Sequence, residues 1–248
     1  MSFVDLGKLT WPEAEQLGAD GAVGLVALAS LEQHGPHLPL ATDSLLGEAL
    51  AREVAERLAA PVVVVPVVRG GLSTHHLAFP GSVTVPPAAY HALVGAYLEG
   101  LERMGIRKIA VFSAHGGNFG FVGELARGWS GEARVAGYSD LGRFLEVMLR
   151  AARELGLDVP ESDAHAGGLE TSMMLAAHPE LVRAFDGVEG YTAGEPGWLD
   201  RIFAEGIRPV SESGVLGDVG GANAQAGEAI LAALAAELAA FFERELDL

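Results

Sequence analysis

The sequence has 248 residues, half of them hydrophobic, and a formal net charge of −17. This length suits one globular domain with a substantial core, so we expect residues 1–248 to form a single domain. The negative charge argues against a nucleic-acid or anionic-membrane partner, because both need clustered Lys and Arg side chains. The sequence contains no cysteine, which excludes disulfides and leaves His, Asp and Glu as the main metal ligands.

The two ends of the chain are those expected of a cytoplasmic protein. Residues 1–21 lack the basic and apolar segments of a secretory signal, and no apolar run is long enough to span a bilayer. The Ala-rich segment 229–248 is interrupted by Glu237 and later acidic residues. We therefore expect it to form an amphipathic closing helix rather than a membrane anchor.

Strand-like and helix-like patterns alternate along the chain. Short β-branched runs predict buried strands at 21–30, 61–68, 107–114 and, more weakly, 134–138. Helical patterns occupy 44–60, 88–105 and 119–129. This alternation predicts an α/β fold in which helices cover both faces of a mostly parallel sheet, with ligands bound at the carboxyl ends of its strands.

The stretch "LEQHGPHLPLATD", residues 31–43, follows the first predicted strand. Glu32 and His34 are two residues apart and project to the same side if the strand persists. Asp43 precedes a helical pattern and could equally be its N-cap. His34 and His37, taken singly, are more often hydrogen-bonded structural residues. Because gathering such groups at one strand end is costly without a cation, the cluster favours a divalent metal site.

A second polar cluster, "SAHGGN" at 113–118, follows the third predicted strand. His115 would add a metal ligand from that neighbouring strand end. Gly116 and Gly117 let the backbone approach a bound group, and the next helix offers its N-terminal amides to an oxyanion. A phosphate-binding loop is the rival interpretation, but the segment lacks the lysine of a P-loop.

A third cluster, "DAHAGGLETS", brings Asp163, His165 and Glu170 together ahead of an apolar helix. Glu170 in the first helical turn is also explained by its favourable interaction with the helix dipole. Asp163 is a candidate for orienting His165. The Gly- and Pro-rich region 186–223 is expected to be a long ordered loop or flap, since such loops in compact domains are often functional.

The remaining histidines have simpler explanations. His178 precedes a proline at a helix end, and His91 lies within a helical pattern, so both are expected to be structural. His75 and His76, ahead of "AFPG", would either contact substrate or order their loop.

Together these motifs identify a family. In order and spacing, "EQHGPHLPLATD", "HLAFPGSVTV", "SAHGGN", "DAHAGGLETS" and "SGVLGDVGGANAQAGEAI" resemble the creatininase (creatinine amidohydrolase) family over nearly the whole chain. The resemblance implies a three-layer α/β/α fold, a homohexamer, and two divalent ions per subunit, Zn²⁺ or Mn²⁺ with Fe²⁺ as an alternative.

The resemblance also assigns roles to residues. It places Glu32, His34, Asp43 and His115 on metal ligands, with Asp43 as the bridging carboxylate and Glu170 as the fifth ligand. His165 matches the catalytic histidine that passes a proton to the leaving nitrogen, while Glu170 serves catalysis as well as metal binding. Substrate contacts are expected from His76, Gly116, Gly117 and Asn118. The implied reaction is amide hydrolysis by a metal-bridging hydroxide.

The substrate departs from that of creatininase itself. Two tryptophans that frame creatinine fall, by local alignment, on Ser139 and Glu161. The "HGGN" form is more similar to formamide deformylases and to the peptidase that trims the mycofactocin precursor. We therefore expect an amidohydrolase acting on a small amide, cyclic amide or formamide; the alternatives are a peptide-trimming enzyme and a catalytically silent small-molecule binder.

Overall fold

One parallel sheet organises the molecule, which we describe for residues 3–248 of a computed structural model. Its five strands are β1 (Phe3–Asp5), β2 (Val23–Leu28), β3 (Val62–Val64), β4 (Lys108–Ser113) and β5 (Arg134–Gly137). They are ordered β1-β3-β2-β4-β5 and every neighbouring pair is parallel. The four predicted strands are present but shorter. β3 stops before Pro66, which lacks the N–H that a ladder requires.

Helices follow most of the strands. They are α1 (Trp11–Ala19), α2 (Thr42–Arg57), α3 (Pro87–Arg103), α4 (Phe119–Gly128), α5 (Leu141–Glu154), α6 (Gly168–Ala177), α7 (Trp198–Glu205) and α8 (Ala224–Leu246). The predicted helices correspond to α2, α3, α4, α6 and α8. α2 begins two residues earlier than expected, and the closing helix α8 begins at Ala224 instead of residue 229. The region 186–223 is mostly irregular, as expected of a loop, but it also contains α7, which was not predicted.

The core lies on both faces of the sheet. Leu25 and Ala27 of β2 pack into one hydrophobic cluster with α2, α5, α6 and α8. Val26 and Leu28 point the opposite way, into a second cluster with α3 and α4. This alternation of buried side chains along one strand confirms the three-layer α/β/α architecture.

The helix α8 is long and apolar enough to cross a membrane by those two criteria alone. Half of its most apolar window is buried, and the helix packs against α2, α5 and α6. Its fully buried residues include Ile230, Leu234 and Leu238, which recur every four residues along one face. The helix is therefore explained as a core element of this fold.

The sheet topology places two of the sequence motifs side by side. β2 and β4 are neighbours, and their last residues, Leu28 and Ser113, are paired in register. The segments that begin after these residues therefore leave the sheet at the same edge. A short 3₁₀ helix, Gly116–Asn118, then leads directly into α4.

Candidate metal and catalytic site

Five side chains predicted to bind metal converge at this sheet edge. The chain after β2 carries Glu32 and His34, the first turn of α2 carries Asp43, the chain after β4 carries His115, and the first turn of α6 carries Glu170. All but Glu170 are at most 3% exposed. Glu32 and His34 are not on a continuing strand, because β2 ends at Leu28. The irregular segment that follows brings both side chains to the cluster.

Asp43 lies between two parts of this cluster. Its Oδ1 is 3.1 Å from His34 Nε2, and its Oδ2 is 3.4 Å from His115 Nδ1. The alternative that Asp43 caps α2 is wrong: the N-cap is Ala41, and Asp43 is the second residue of the helix. Each oxygen of one buried carboxylate thus faces a different imidazole.

Ligand-type atoms form groups compact enough to hold a cation. One group is Glu32, Asp43 and His115, another is His34, Asp43 and Glu170, and within each the atoms lie within 4.8 Å of one another. Asp43 belongs to both groups. A third group joins Glu32 and His34 to His165.

The carboxylates of this cluster fit a metal because they lack other partners. Both oxygens of Glu32 and Oδ2 of Asp43 are buried without a hydrogen bond. His115 Nδ1 and His76 Nε2 lie 3.0 and 3.1 Å from Glu32 Oε1, but neither contact has hydrogen-bond geometry. Buried anionic oxygens without donors are costly, and imidazole with carboxylate ligands suits Zn²⁺, Mn²⁺ or Fe²⁺.

The short distances between side chains in the cluster also shift their pKa values. Burial opposes the charged form of His34, but Asp43 outweighs it and raises the pKa of His34 to about 10. His115 behaves likewise: Glu32 overcomes burial and raises the pKa of His115 to about 9. Burial raises the pKa of Glu170 to about 7. Protons therefore occupy the positions for which a cation would compete.

The side chain of Gln33 sets the tautomer of His76. Its Oε1 accepts the Gly35 N–H at 2.9 Å, and its Nε2 donates to the Gly214 carbonyl at 3.1 Å. These two bonds orient the amide. Gln33 Nε2 also lies 3.0 Å from His165 Nε2, but that nitrogen donates to the Gln33 carbonyl oxygen. The remaining N–H of Gln33 Nε2 therefore donates to His76 Nδ1 at 3.2 Å. The ring proton of His76 is then on Nε2, which faces Glu32 Oε1 at 3.1 Å.

The backbone of Gln33 sets the opposite tautomer for His165. His165 Nε2 donates to the Gln33 carbonyl oxygen at 2.8 Å, which leaves the lone pair on Nδ1. This Nδ1 faces the cluster, 3.9 Å from Glu32 Oε1 and 4.0 Å from Glu170 Oε2. Burial and the nearby His34 hold the pKa of His165 well below its usual value, so the ring is neutral and its Nδ1 lone pair is unprotonated.

The loop that carries His165 is held by its surroundings. Ala166 has a left-handed backbone, φ 53°, and its N–H donates to Glu170 Oε2 at 2.6 Å. The backbone of His165 pairs with Leu216, which belongs to the Gly-rich region. Asp163 makes no hydrogen bond to His165, contrary to the expectation that it orients this ring; it caps the start of α6 instead.

Only two of the four residues predicted to contact substrate line a pocket. Gly116 and His76 line a pocket above the cluster. A Cβ on Gly117 would lie 2.3 Å from the Leu72 carbonyl oxygen, so this glycine allows close packing. The buried Asn118 side chain accepts the Leu72 N–H and donates to the Ala29 carbonyl, and Asn118 does not line the pocket.

Two other histidines lie where the sequence predicted, and a third lies beside the cluster. His91 lies on the surface of α3, and His178 is the C-cap of α6. His75, one residue before His76, also lines the pocket. The apolar side of this pocket comes mainly from α5 and α7, and the sequence carried no motif for it.

The comparisons with known proteins identify the family. The family model described as creatinine amidohydrolase matches residues 7–242. The chain belongs to the creatininase family. It is 36% identical over 212 residues to a mycofactocin precursor peptide peptidase of Mycolicibacterium smegmatis, a match that covers 84% of this chain and 79% of the relative. A creatinine amidohydrolase of Pseudomonas putida is 32% identical over 197 residues, covering 72% of this chain and 74% of the relative.

Solved creatininase structures share the whole fold. A mutant creatininase of type II superposes with a TM-score of 0.77 and 25% identity, covering 100% of both chains. The structures titled "Creatininase Mn" and a mutant creatininase of "Zn-Zn type" each give 0.73 and 26% identity over 100% of both chains. Together with the family match and the hydrolase relatives, they support a metal-dependent amidohydrolase, and the buried His, Asp and Glu cluster could bind its metal.

Proposed function

We propose that this creatininase-family protein uses two divalent metal ions to hydrolyse a C–N bond in a small amide, cyclic amide or formamide. The observation that supports two ions is Asp43, which belongs to two ligand groups and whose two oxygens face different imidazoles. The titles of the manganese and Zn-Zn creatininases are consistent with Mn²⁺ or Zn²⁺, and Fe²⁺ suits the same ligands.

The proposed ligands follow the two groups. Glu32, Asp43 and His115 would hold one ion, and His34, Asp43 and Glu170 the other. When bound, such ions polarise a carbonyl oxygen and lower the pKa of bound water.

Two histidines would then handle the protons. His165, with its lone pair on Nδ1, would accept a proton and pass it to the leaving nitrogen. His76, with its proton on Nε2, would donate towards Glu32 or towards a substrate oxygen. Gln33 keeps these two roles distinct, because it bonds to both rings. The pocket lining at Gly116 would leave room for the substrate carbonyl.

The first alternative is peptide trimming. It is favoured by the relative from M. smegmatis, whose name specifies a precursor peptide peptidase and which is 36% identical. Both activities hydrolyse an amide and would use the same cluster. Comparing turnover of short peptides with that of small amides and formamides distinguishes them.

The test of the metal centre is the metal content of protein purified without chelator or affinity tag, measured by plasma mass spectrometry. We expect about two divalent ions per subunit, with Asp43→Ala losing far more than His37→Ala. His37 is the control because its Nε2 bonds to Thr171 Oγ1 at 2.8 Å, outside the ligand groups. Equal metal retention by the two folded variants would refute the role of Asp43. A protein without metal after incubation with Zn²⁺ or Mn²⁺ would support the silent-binder alternative.

The test of the proton transfer is His165→Ala on a panel of amides and formamides. We expect turnover to fall by about 10²- to 10⁴-fold while metal content is retained. A loss of metal equal to that of Asp43→Ala would instead make His165 a ligand. The cytoplasmic location and the hexamer stay predictions, which cell fractionation and light scattering would test.

A further inference from the structure

We propose that the pocket above the cluster is an apolar subsite for an uncharged amide with a branched aliphatic group next to the scissile C–N bond. This inference rests on the proposed function and specifies its substrate class. The pocket opens to solvent, and its space of about 430 Å³ includes that open mouth; about 50 Å³ is room for the centres of water-sized molecules. One end of it is formed by the polar cluster, through Glu32 and His165, and the rest of its lining is mainly hydrophobic.

The hydrophobic lining comes from elements that do not carry the metal ligands. Leu141 and Leu145 come from α5, Leu199 and Phe203 come from α7, and Leu216 comes from the segment paired with the His165 loop. A substrate held at the cluster would place its neighbouring substituent against these side chains. Removing such apolar surface from water is favourable in proportion to its area.

Phe203 is an exposed aromatic residue of the pocket lining. It is 45% exposed, although the same pocket is also lined by the fully buried Glu32. Its ring packs edge-on against His75 at a centroid distance of 4.9 Å, and His75 stacks on His115 at 5.7 Å. The ring is thus fixed one histidine away from a proposed metal ligand, with much of its surface left for a substrate.

The charges around the pocket exclude an anionic substituent. Among the described residues that line it, none is Lys or Arg, so a carboxylate or phosphate would find no cation except the metals. Arg208 lies over the Phe79 ring and donates to the Ala78 carbonyl. Arg143 is paired with Glu237 at 2.8 Å. Both guanidinium groups are therefore already engaged.

The two positions that align with the tryptophans framing creatinine do not provide a flat aromatic wall to this pocket. Neither Ser139 nor Glu161 lines the pocket, and the Glu161 carboxylate is exposed and paired with Arg153. Leucine side chains form the wall instead, and their shape suits a branched substituent better than a flat heterocycle. This difference separates the present pocket from one built to sandwich a planar ring.

The test measures binding rather than turnover, using hydroxamic acids on the metal-loaded protein. The hydroxamate group chelates divalent metals, and its substituent probes the pocket. Isovalerohydroxamate carries three more carbons than acetohydroxamate, and each buried methylene should tighten the Kd by about fourfold. We expect at least a tenfold tighter Kd by calorimetry. The monohydroxamate of succinic acid, which carries a carboxylate, should bind no more tightly than acetohydroxamate.

Matched variants test which side chains contact the branched substituent. Leu199→Ala and Phe203→Ala should each remove most of the gain from the branched substituent. Leu155→Ala is the control, since Leu155 is 46% exposed and does not line the pocket. Equal Kd values for all substituents would refute the apolar subsite but would remain consistent with the metal centre. Preference for the carboxylate would refute an uncharged substrate, and no binding of any hydroxamate would refute the metal centre itself.

Discussion

Replacing Asp163 by alanine is expected to lower the free energy of unfolding by about 3 kcal/mol. The side chain is 1% exposed, and its carboxylate accepts the N–H groups of Gly168 at 2.9 Å, Leu169 at 3.3 Å and Asp218 at 3.4 Å. It thereby joins the start of α6, which carries Glu170, to the Gly-rich region. Loss of the cap should loosen both.

The magnitude follows from the three amides. A capping carboxylate is worth about 1 kcal/mol, and each buried donor left without a partner costs about 1–3 kcal/mol. Only the bond to Gly168 is short. We therefore assign the full cost of an unpaired donor to the Gly168 N–H and only a small cost to the two N–H groups with longer bonds. The control is Asp140→Ala, because Asp140 is an exposed cap of α5 that accepts the Arg143 N–H at 2.9 Å. Its loss should cost only about 1 kcal/mol.

The pH dependence of the Asp163 contribution has a definite sign. Burial raises the pKa of Asp163 to about 7 against the opposing effect of the three amides. Because its pKa in the unfolded chain is about 3.9, the folded protein holds the proton more tightly. Its contribution to stability therefore declines as the pH rises from about 4 to about 7. Asp163→Asn cannot ionise, so the wild type should lose stability relative to this variant over that window, on the order of a few kcal/mol.

Urea unfolding followed by circular dichroism measures all of these differences. The three variants and the wild type are compared at pH 4, where the Asp163 contribution is largest, and the wild type and Asp163→Asn are also compared from pH 4 to 7. The reasoning about the buried cap is refuted if Asp163→Ala loses no more stability than Asp140→Ala. The pKa assignment is refuted if the difference between wild type and Asp163→Asn stays constant or changes in the opposite direction.

Two further variants test how the site is held. Gln33→Leu removes the bonds that set the His76 tautomer, so we expect kcat to fall at least tenfold with metal content unchanged; the exposed Gln16→Leu is its control, and unchanged kcat would contradict the tautomer assignment. Gly117→Ala would put a Cβ 2.4 Å from His115 Nε2, whereas the Cβ of Gly120→Ala would have no neighbouring atom within 4 Å. Thermal unfolding should show a lower Tm for the first and an equal or higher Tm for the second; equal shifts would contradict the close packing at Gly117.

Much of the proposed metal site could be predicted from local sequence, because its candidate ligands are short-range features of strand ends and helix starts. Glu32 and His34 follow a β-branched run, and His115 follows another. Parallel neighbouring strands necessarily bring such segments to one edge of the sheet. The geometric reason given for Glu32 and His34 was incomplete, since the strand ends before them and an irregular segment positions both.

The ambiguous residues were resolved only by three-dimensional contacts. The position of Asp43 suits a helix cap as well as a ligand, and the structure distinguishes these because both of its oxygens face imidazoles. Asp163 was expected to orient His165, but the turn between them directs its carboxylate to amides at the start of α6. Neither outcome depends on residue type or spacing alone.

The sequence by itself determined the α/β class, the ligand types and the family, because burial patterns and motif spacing are properties of neighbouring residues. Only the tertiary structure decided which side chains lie close enough to share a cation, which ring nitrogen carries a proton, and that α7 closes the pocket with Phe203. These features join segments far apart in the chain. Their physical basis is direct contact between side chains, which no periodicity within one segment records.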